Sequence, residues 1–283
     1  MSSIRIIGDG SLHVKAGPLE QRFWRTAVSD VQRNRIAIRG YPIQELIAHR
    51  TFGDVVHLVF TGELPEGNEG VMIEAILVAM VDHGLVAPSA AATYVAASAG
   101  IPLQAAIGAG ILALGDYHGG AIEPCAKLIA QGLEDCADTG QMEEVARAIV
   151  AEAVSAGERI PGYGHRVHTD DPRAKELLRV ASDLGVRGRA TALALAIERV
   201  LQENSRLTLN IDGVIAALML DMGFDWRLGK AFYIIARSVG LAAHAVDQMR
   251  QKPLNAPLPE DIEYTGPPER HLSRPPDVGR DVS

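Results

Sequence analysis

Apolar residues recur three and four positions apart along almost the whole of this chain, and that spacing constrains the fold more than any other feature. Ile43, Leu46 and Ile47, then Val55, Val56 and Val59, mark two short helices, punctuated by Gly53 and Gly62 and stopped at Glu63-Leu64-Pro65. The same spacing predicts helices over 71–81, 90–98, 103–114, 120–131, 142–156, 172–184, 188–202, 211–222 and 226–250. Strand-like alternation is confined to 4–7 and 35–38, so the chain is predicted to be all-α. With 283 residues it can bury the core of one large domain or of two interlocked lobes. No repeat of fixed period and no internal linker divides it.

Composition removes several classes of function. Hydrophobic residues at 47% and charged residues at 22% describe a packed globular protein rather than a disordered or fibrous one. Thirty-five acidic against 27 basic side chains leave a formal charge of −8, which opposes a sequence-independent grip on phosphate backbones, so nucleic acid is not an expected partner. Charged residues and prolines interrupt every apolar stretch before the roughly 18 residues of a membrane span, and no membrane partner is expected. Cys125 and Cys136 are too few for a disulfide framework, and the start MSSIRIIGDG lacks the apolar core of a secretory signal. A reducing cytoplasm is the expected location. No His-Glu-x-x-His and no Cys-x-x-Cys occurs, and His165/His168 is the one close histidine pair, so no metal site is expected. Without a phosphate-binding lysine loop or a strand followed by G-x-G-x-x-G, ATP and nicotinamide cofactors are not expected either.

Four stretches hold residues in unusual company. Asp82-His83-Gly84 reads either as a helix-end histidine favoured by the dipole and closed by glycine, or as a site residue. Gly115-Asp116-Tyr117-His118-Gly119-Gly120 is either a plain interhelical turn or a loop whose glycines let a ligand approach backbone N–H groups. In Pro161-Gly162-Tyr163-Gly164-His165-Arg166 two glycines and a proline shape an irregular loop carrying two rings. The Asp171-Pro172-Arg173 that follows starts a helix with an arginine in its first turn, against the dipole, so something anionic is expected to hold Arg173. In Asn210-Ile211-Asp212-Gly213 an acid enters an apolar helix, either as a cap or as a poorly solvated carboxylate suited to proton abstraction. Arg237, flanked by Ile234, Ile235, Val239 and Leu241, must be ion-paired or bind an anion if its helix is buried. The Ala- and Gly-dense stretch 90–114 reads as a closely packed helix pair or a subunit interface.

Taken in order, these stretches resemble the citrate synthase family from about residue 26 to residue 266. His118-Gly119-Gly120-Ala121 is similar to its H-G-G or H-G-x-A loop, Pro161 to His165 with Asp171 to Arg173 to its P-G-[FY]-G-H and D-P-R, Asn210 to Asp212 to its N-x-D, Arg237 to Gly240 to its R-x-x-G, and His83 to the histidine of its D-H motif. GDYHGGAIEPCAKL, NIDGVIAALMLDM and ARSVGLAAHAVDQ look most like the citryl-CoA lyase module at the end of ATP-citrate lyase and like stand-alone bacterial citryl-CoA lyases of about this length.

The resemblance implies a two-lobed all-α fold with the active site in the interlobe cleft. The large lobe would comprise residues 1–120 and 216–283, and the small lobe 121–215. It implies cleavage of citryl-CoA to acetyl-CoA and oxaloacetate. Condensation by a citrate or 2-methylcitrate synthase, or a non-catalytic scaffold that keeps the fold, are the alternatives. Catalysis would fall to His118, His165 and Asp212, binding of substrate carboxylates to His83, Arg173 and Arg237, and binding of coenzyme A to Pro161, Gly162, Tyr163, Gly164 and Arg166. No tightly bound cofactor is implied, since the coenzyme A thioester is itself the substrate, and a homodimer or larger homo-oligomer is. Segment 258–263, Leu-Pro-Glu-Asp-Ile-Glu, departs from the synthases, which carry there an arginine that clamps a carboxylate across the dimer.

Overall fold

The computed structural model describes residues 4–6, 12–14, 25–136, 139–164, 171–254 and 263–271. Helices dominate them. Two short antiparallel sheets precede the helices: β1 (Ile4–Ile6) pairs with β2 (Leu12–Val14), and β3 (Ser29–Gln32), β4 (Arg35–Ile38) and β5 (Tyr41–Pro42) form a meander. Spacing predicts β1 and β4. It misses β3 because every residue of that strand is exposed, and a strand held only by backbone pairing leaves no apolar alternation to read. Arg39 ties the meander to the helices by donating from Nε (3.1 Å) and Nη2 (2.7 Å) to the Val59 carbonyl.

The helices are α1 (Ile43–His49), α2 (Phe52–Thr61), α3 (Glu69–Met80), α4 (Pro88–Ser98), α5 (Leu103–Leu112), α6 (Ile122–Glu134), α7 (Met142–Ala156), α8 (Pro172–Asp183), α9 (Arg189–Gln202), α10 (Ile211–Asp221) and α11 (Gly229–Met249). Local chemistry sets their ends. Thr51 and Asp54 form a reciprocal capping box on α2, and the last residue of α10, Asp221, accepts from the N–H groups of Gly188, Ala190 and Thr191 to cap α9. The helix predicted over 226–250 is divided. Asp225 accepts from the Arg227 N–H to close a single 3₁₀ turn, Trp226–Leu228, before α11 begins. The helix predicted from 120 starts at Ile122, because Gly119 and Gly120 belong to the preceding turn.

Helices α6 to α10 pack on one another, and α2 to α5 pack with α11. One apolar core runs through both, with Met72, Ile73 and Ile76 of α3, Ile122 and Ile129 of α6, Leu193 and Ile197 of α9 and Ile215 of α10 wholly buried. Helix α10 is apolar on every side: Val214 to Met219 are all fully buried. A helix without a polar face must run through the interior, so its first turn, where Asp212 sits, is carried into low dielectric. No helix of the described residues is long and apolar enough to cross a membrane.

Candidate active site

The termini of α3, α4, α8 and α10, the 115–120 turn and the middle of α11 surround a cavity of about 430 Å³ between the lobes. His83, His118, Gly164, Arg173, Asp212 and Arg237 line it, six residues spread over 155 positions of sequence. His165 and Arg166 lie outside the described residues. Pro161 and Gly162 do not line this cavity. Tyr163 and Gly164 line a second cavity of about 850 Å³ between α7 and α9, and Gly164 belongs to both.

Asp212 stands at the second position of α10, whose cap is Asn210: its Oδ1 accepts from the Gly213 N–H (3.1 Å). Burial pushes the Asp212 carboxyl up to about 6, while Arg173 and Arg237 nearby favour the charged form and Asp171 opposes it. The isolated-acid reading as a cap therefore gives way, because the residue two before it does the capping.

Arg237 is 2% exposed. Its Nε donates to the Met80 carbonyl (3.2 Å) and its guanidinium lies 4.8 Å from the centre of the Tyr233 ring, one turn back on α11. Its Nη1 is buried and has no hydrogen-bond partner among the described residues. An unmet donor on a buried cation costs about 1–3 kcal/mol or more. The ion-pair reading of Arg237 finds no carboxylate within 4 Å among the described residues, and the anion-binding reading remains.

Arg173 has the anion its helix position demands within its own chain. Asp171, the buried cap of α8, accepts from Arg173 Nε (3.0 Å) and Nη2 (2.8 Å), a forked pair that points the guanidinium at the cavity edge. Because Asp171 is 5% exposed and the pair is bidentate, the arginine is held in one orientation rather than left to sample several.

His118 is fixed by a residue that spacing gives no reason to select. The backbone N–H of Ser89, at the second position of α4, lies 3.3 Å from His118 Nε2, and its hydroxyl 2.8 Å. An N–H can only donate, so Nε2 accepts and the ring proton sits on Nδ1. Burial, and the positive charge of Arg237, hold the His118 pKa below its ordinary value, so the ring is neutral at physiological pH and offers one N–H. The glycines after it serve packing: Gly119 adopts φ +76°, and a Cβ there would stand 3.2 Å from the Tyr233 ring.

The 161–164 loop is stitched to the segment before α10. Asn210 N–H donates to the Gly162 carbonyl (2.9 Å), Gly164 N–H to Thr208 (2.8 Å), and Asn210 Nδ2 to the Gly164 carbonyl (2.6 Å). Tyr163 does not project from the loop, as the sequence suggests, but points inward, its hydroxyl donating to the Ala194 carbonyl (2.8 Å) on α9. Gly162 (φ +85°) packs where a Cβ would lie 2.5 Å from Cys125 Sγ and 2.8 Å from Gly213 Cα. His83 does not sit in the last turn of α3, which ends at Met80 with Val81 as its cap; it lies three residues beyond the helix, before Gly84 (φ +75°), and lines the cavity. Ser89 and Tyr233 are the residues that spacing leaves unselected; Asp171 is legible as the cap before Pro172, and Tyr233 lies four positions from Arg237 on one helix face. No group of three or more His, Cys, Asp or Glu placed to hold a metal ion occurs among the described residues.

A family model for the citrate synthase C-terminal domain matches residues 68–258. A probable ATP-citrate synthase of Dictyostelium discoideum is 30% identical over 260 residues, which cover 84% of this chain and 40% of that protein. The chain spans less than half the length of the curated relatives it matches most strongly. Among solved structures, citryl-CoA lyase from Hydrogenobacter thermophilus superposes with a TM-score of 0.82 at 38% identity, covering 89% of this chain and 98% of that one. ATP citrate lyase from Methanothrix soehngenii, solved with citrate and coenzyme A, superposes with a TM-score of 0.78 at 26% identity, covering 89% of this chain and 43% of that one.

Proposed function

We infer the reaction from one premise: this chain belongs to the citrate synthase family. It is proposed to be a citryl-CoA lyase, cleaving citryl-CoA to acetyl-CoA and oxaloacetate. The observation that carries this is the buried guanidinium of Arg237, its Nη1 without a partner among the described residues, in one cavity with a carboxyl raised to about 6 and a neutral histidine. A polycarboxylate supplies the missing anion, and carbon–carbon chemistry beside a thioester needs the other two groups.

Cleavage begins with loss of the proton from the citryl hydroxyl, for which His165 is the proposed acceptor. As the carbon–carbon bond breaks, its electron pair moves onto the thioester unit as an enolate, and the former alcohol carbon becomes the ketone of oxaloacetate. His118 donates from Nδ1 to the enolate oxygen, where charge develops, without placing a counter-charge in the site. Asp212 returns a proton to the enolate carbon, giving the methyl group of acetyl-CoA. In the reverse direction the same carboxylate abstracts that proton, its basicity raised by burial. Arg237, Arg173 and His83 hold the carboxylates of the four-carbon unit. The 161–166 loop is proposed to carry coenzyme A, supported by the large cavity that adjoins the site at Gly164. Residues 121–215 are proposed as the small lobe, with 1–120 and 216–283 as the large one. A homodimer is proposed through the Ala- and Gly-rich helices α4 and α5, which present Leu112 and Val95 outward.

A lyase receives a citryl group already anchored by its coenzyme A arm, whereas a synthase must grip free oxaloacetate. Segment 258–263 contains no arginine to strengthen that grip, which favours the lyase. The test is incubation with synthetic citryl-CoA and, separately, with acetyl-CoA plus oxaloacetate. Cleavage should be much faster than formation of free citrate at equal enzyme concentration. Citrate production at an ordinary enzymatic rate, about 1 to 10³ per second, would instead make the protein a synthase. Failure to bind coenzyme A at all would leave a scaffold.

A further inference from the structure

Three residues on one face of α11 grip three successive residues at the end of α3. Arg237 Nε donates to the Met80 carbonyl (3.2 Å). Gly240 stands so close to the Val81 carbonyl oxygen that a Cβ there would overlap it, and would lie 3.1 Å from Asp82 Oδ1. His244 Nε2 lies 3.0 Å from Asp82 Oδ1. Positions 237, 240 and 244 fall on one helical stripe, so a single rigid element sets the place of the whole 80–82 segment.

Asp82 then spans His83. While Oδ1 meets His244, Oδ2 accepts from the Gly84 N–H (2.8 Å), on the far side of His83. Although burial works the other way, the bonds from Gly84 and His244, with one from the His83 backbone, hold the Asp82 carboxyl below its usual range, so it is a charged acceptor. The turn that presents His83 to the cavity is thus closed by one carboxylate, and that carboxylate is held against α11 by one imidazole.

We propose that His244 is a positioning residue of the active site, acting through Asp82 to hold His83 at the cavity wall. This rests on the reading above that His83 meets a substrate carboxylate. Arg237 and Gly240 already dock α11 on α3, so loss of His244 releases the turn rather than the helix. The same face of α11 therefore supplies one anion-binding group directly, Arg237, and sets the position of another.

The experiment compares wild type with His244→Ala, His244→Gln, His83→Ala and the double variant His83→Ala/His244→Ala in citryl-CoA cleavage. His244→Ala should raise KM about tenfold with kcat little changed, as expected for lost ground-state binding through a charge-assisted contact. His244→Gln, which keeps an N–H donor, should restore most of the affinity. The double variant should be no worse than His83→Ala alone, because the two residues act in series. Multiplying losses in the double variant, or a loss in kcat alone, overturns the proposal. Should His244→Ala not fold, Asp82→Ala, which removes the acceptor for both Gly84 N–H and His244, should raise KM in the same way, and an unchanged KM overturns it. Histidine-labelled protein supplies an arm independent of turnover. The His83 ring resonances should move in His244→Ala and not in His244→Gln, and unmoved resonances overturn the proposal even if citryl-CoA proves not to be the substrate.

Discussion

Asp212 illustrates how one side chain acquires its chemistry from its address. The carboxyl is raised to about 6 by burial, although two arginines lie close enough to oppose the shift. Asp212→Asn should lower turnover by roughly 10² to 10⁴ with coenzyme A affinity nearly intact, because proton transfer is a transition-state contribution. Steady-state kinetics checks the first part and calorimetric titration with coenzyme A the second. The same residue should cost stability. A folded-state pKa above the unfolded value gives stabilisation that is full below the unfolded pKa and is lost as pH rises through about 6. The asparagine variant should therefore be more stable than wild type at pH 8, by up to about 3 kcal/mol in denaturant titration, and the difference should vanish near pH 4. Catalysis follows the same sign in two directions. Exchange of the acetyl-CoA methyl protons needs the carboxylate and should fall off below about pH 6. Cleavage of citryl-CoA needs the acid, so its kcat/KM should fall above that pH. Parallel pH profiles for the two reactions would remove Asp212 from its role.

Helices α4, α5 and α11 act on catalysis from behind the cavity. Gly110 on α5 lies where a Cβ would overlap Thr93 Oγ1 and stand 2.7 Å from the Ser89 carbonyl and 2.9 Å from Leu241 Cδ1. The absence of a side chain there lets α5 press against α4 at the residue that orients His118. Gly110→Val should destabilise the protein by about 1–3 kcal/mol through overpacking and should reduce turnover as well, because Ser89 is displaced. Thermal unfolding and kinetics on the same sample check it, and an unchanged kcat in the destabilised protein would uncouple Ser89 from His118. The expectation that the small residues of 90–114 serve close packing holds at this helix pair.

Across the whole molecule, the helices proposed for the subunit interface, α4 and α5, leave large apolar side chains in solvent: Leu112 is 87% exposed and Val95 42%. Sedimentation at micromolar concentration should show a dimer or larger assembly, and Leu112→Glu with Val95→Glu should shift it toward monomer. A monomeric wild type would count against the interface. The cavity between the lobes is lined by Asp212 and Arg173 from the first turns of α10 and α8, by Arg237 from α11, and by His83 and His118 from the segments that follow α3 and α5. Relative movement of the lobes would therefore change the distance between the proton-transfer group and the anion-binding group.

By itself the sequence determined the helices, because a 3.6-residue apolar period and local caps such as Asn210 are one-dimensional facts. It also determined which motifs to suspect, and His83, His118, Arg173, Asp212 and Arg237 do meet. Tertiary structure alone decided their states. Nothing in Asn-Ile-Asp-Gly sets a carboxyl near 6. That follows from α10 having no polar side and so entering the core. The tautomer of His118 depends on Ser89, 29 positions away, and Arg237 meets the backbone carbonyl of Met80, 157 positions away, with its Nη1 left without a hydrogen-bond partner among the described residues. Protonation and pairing depend on distance in space, and sequence spacing carries that only within a few helical turns.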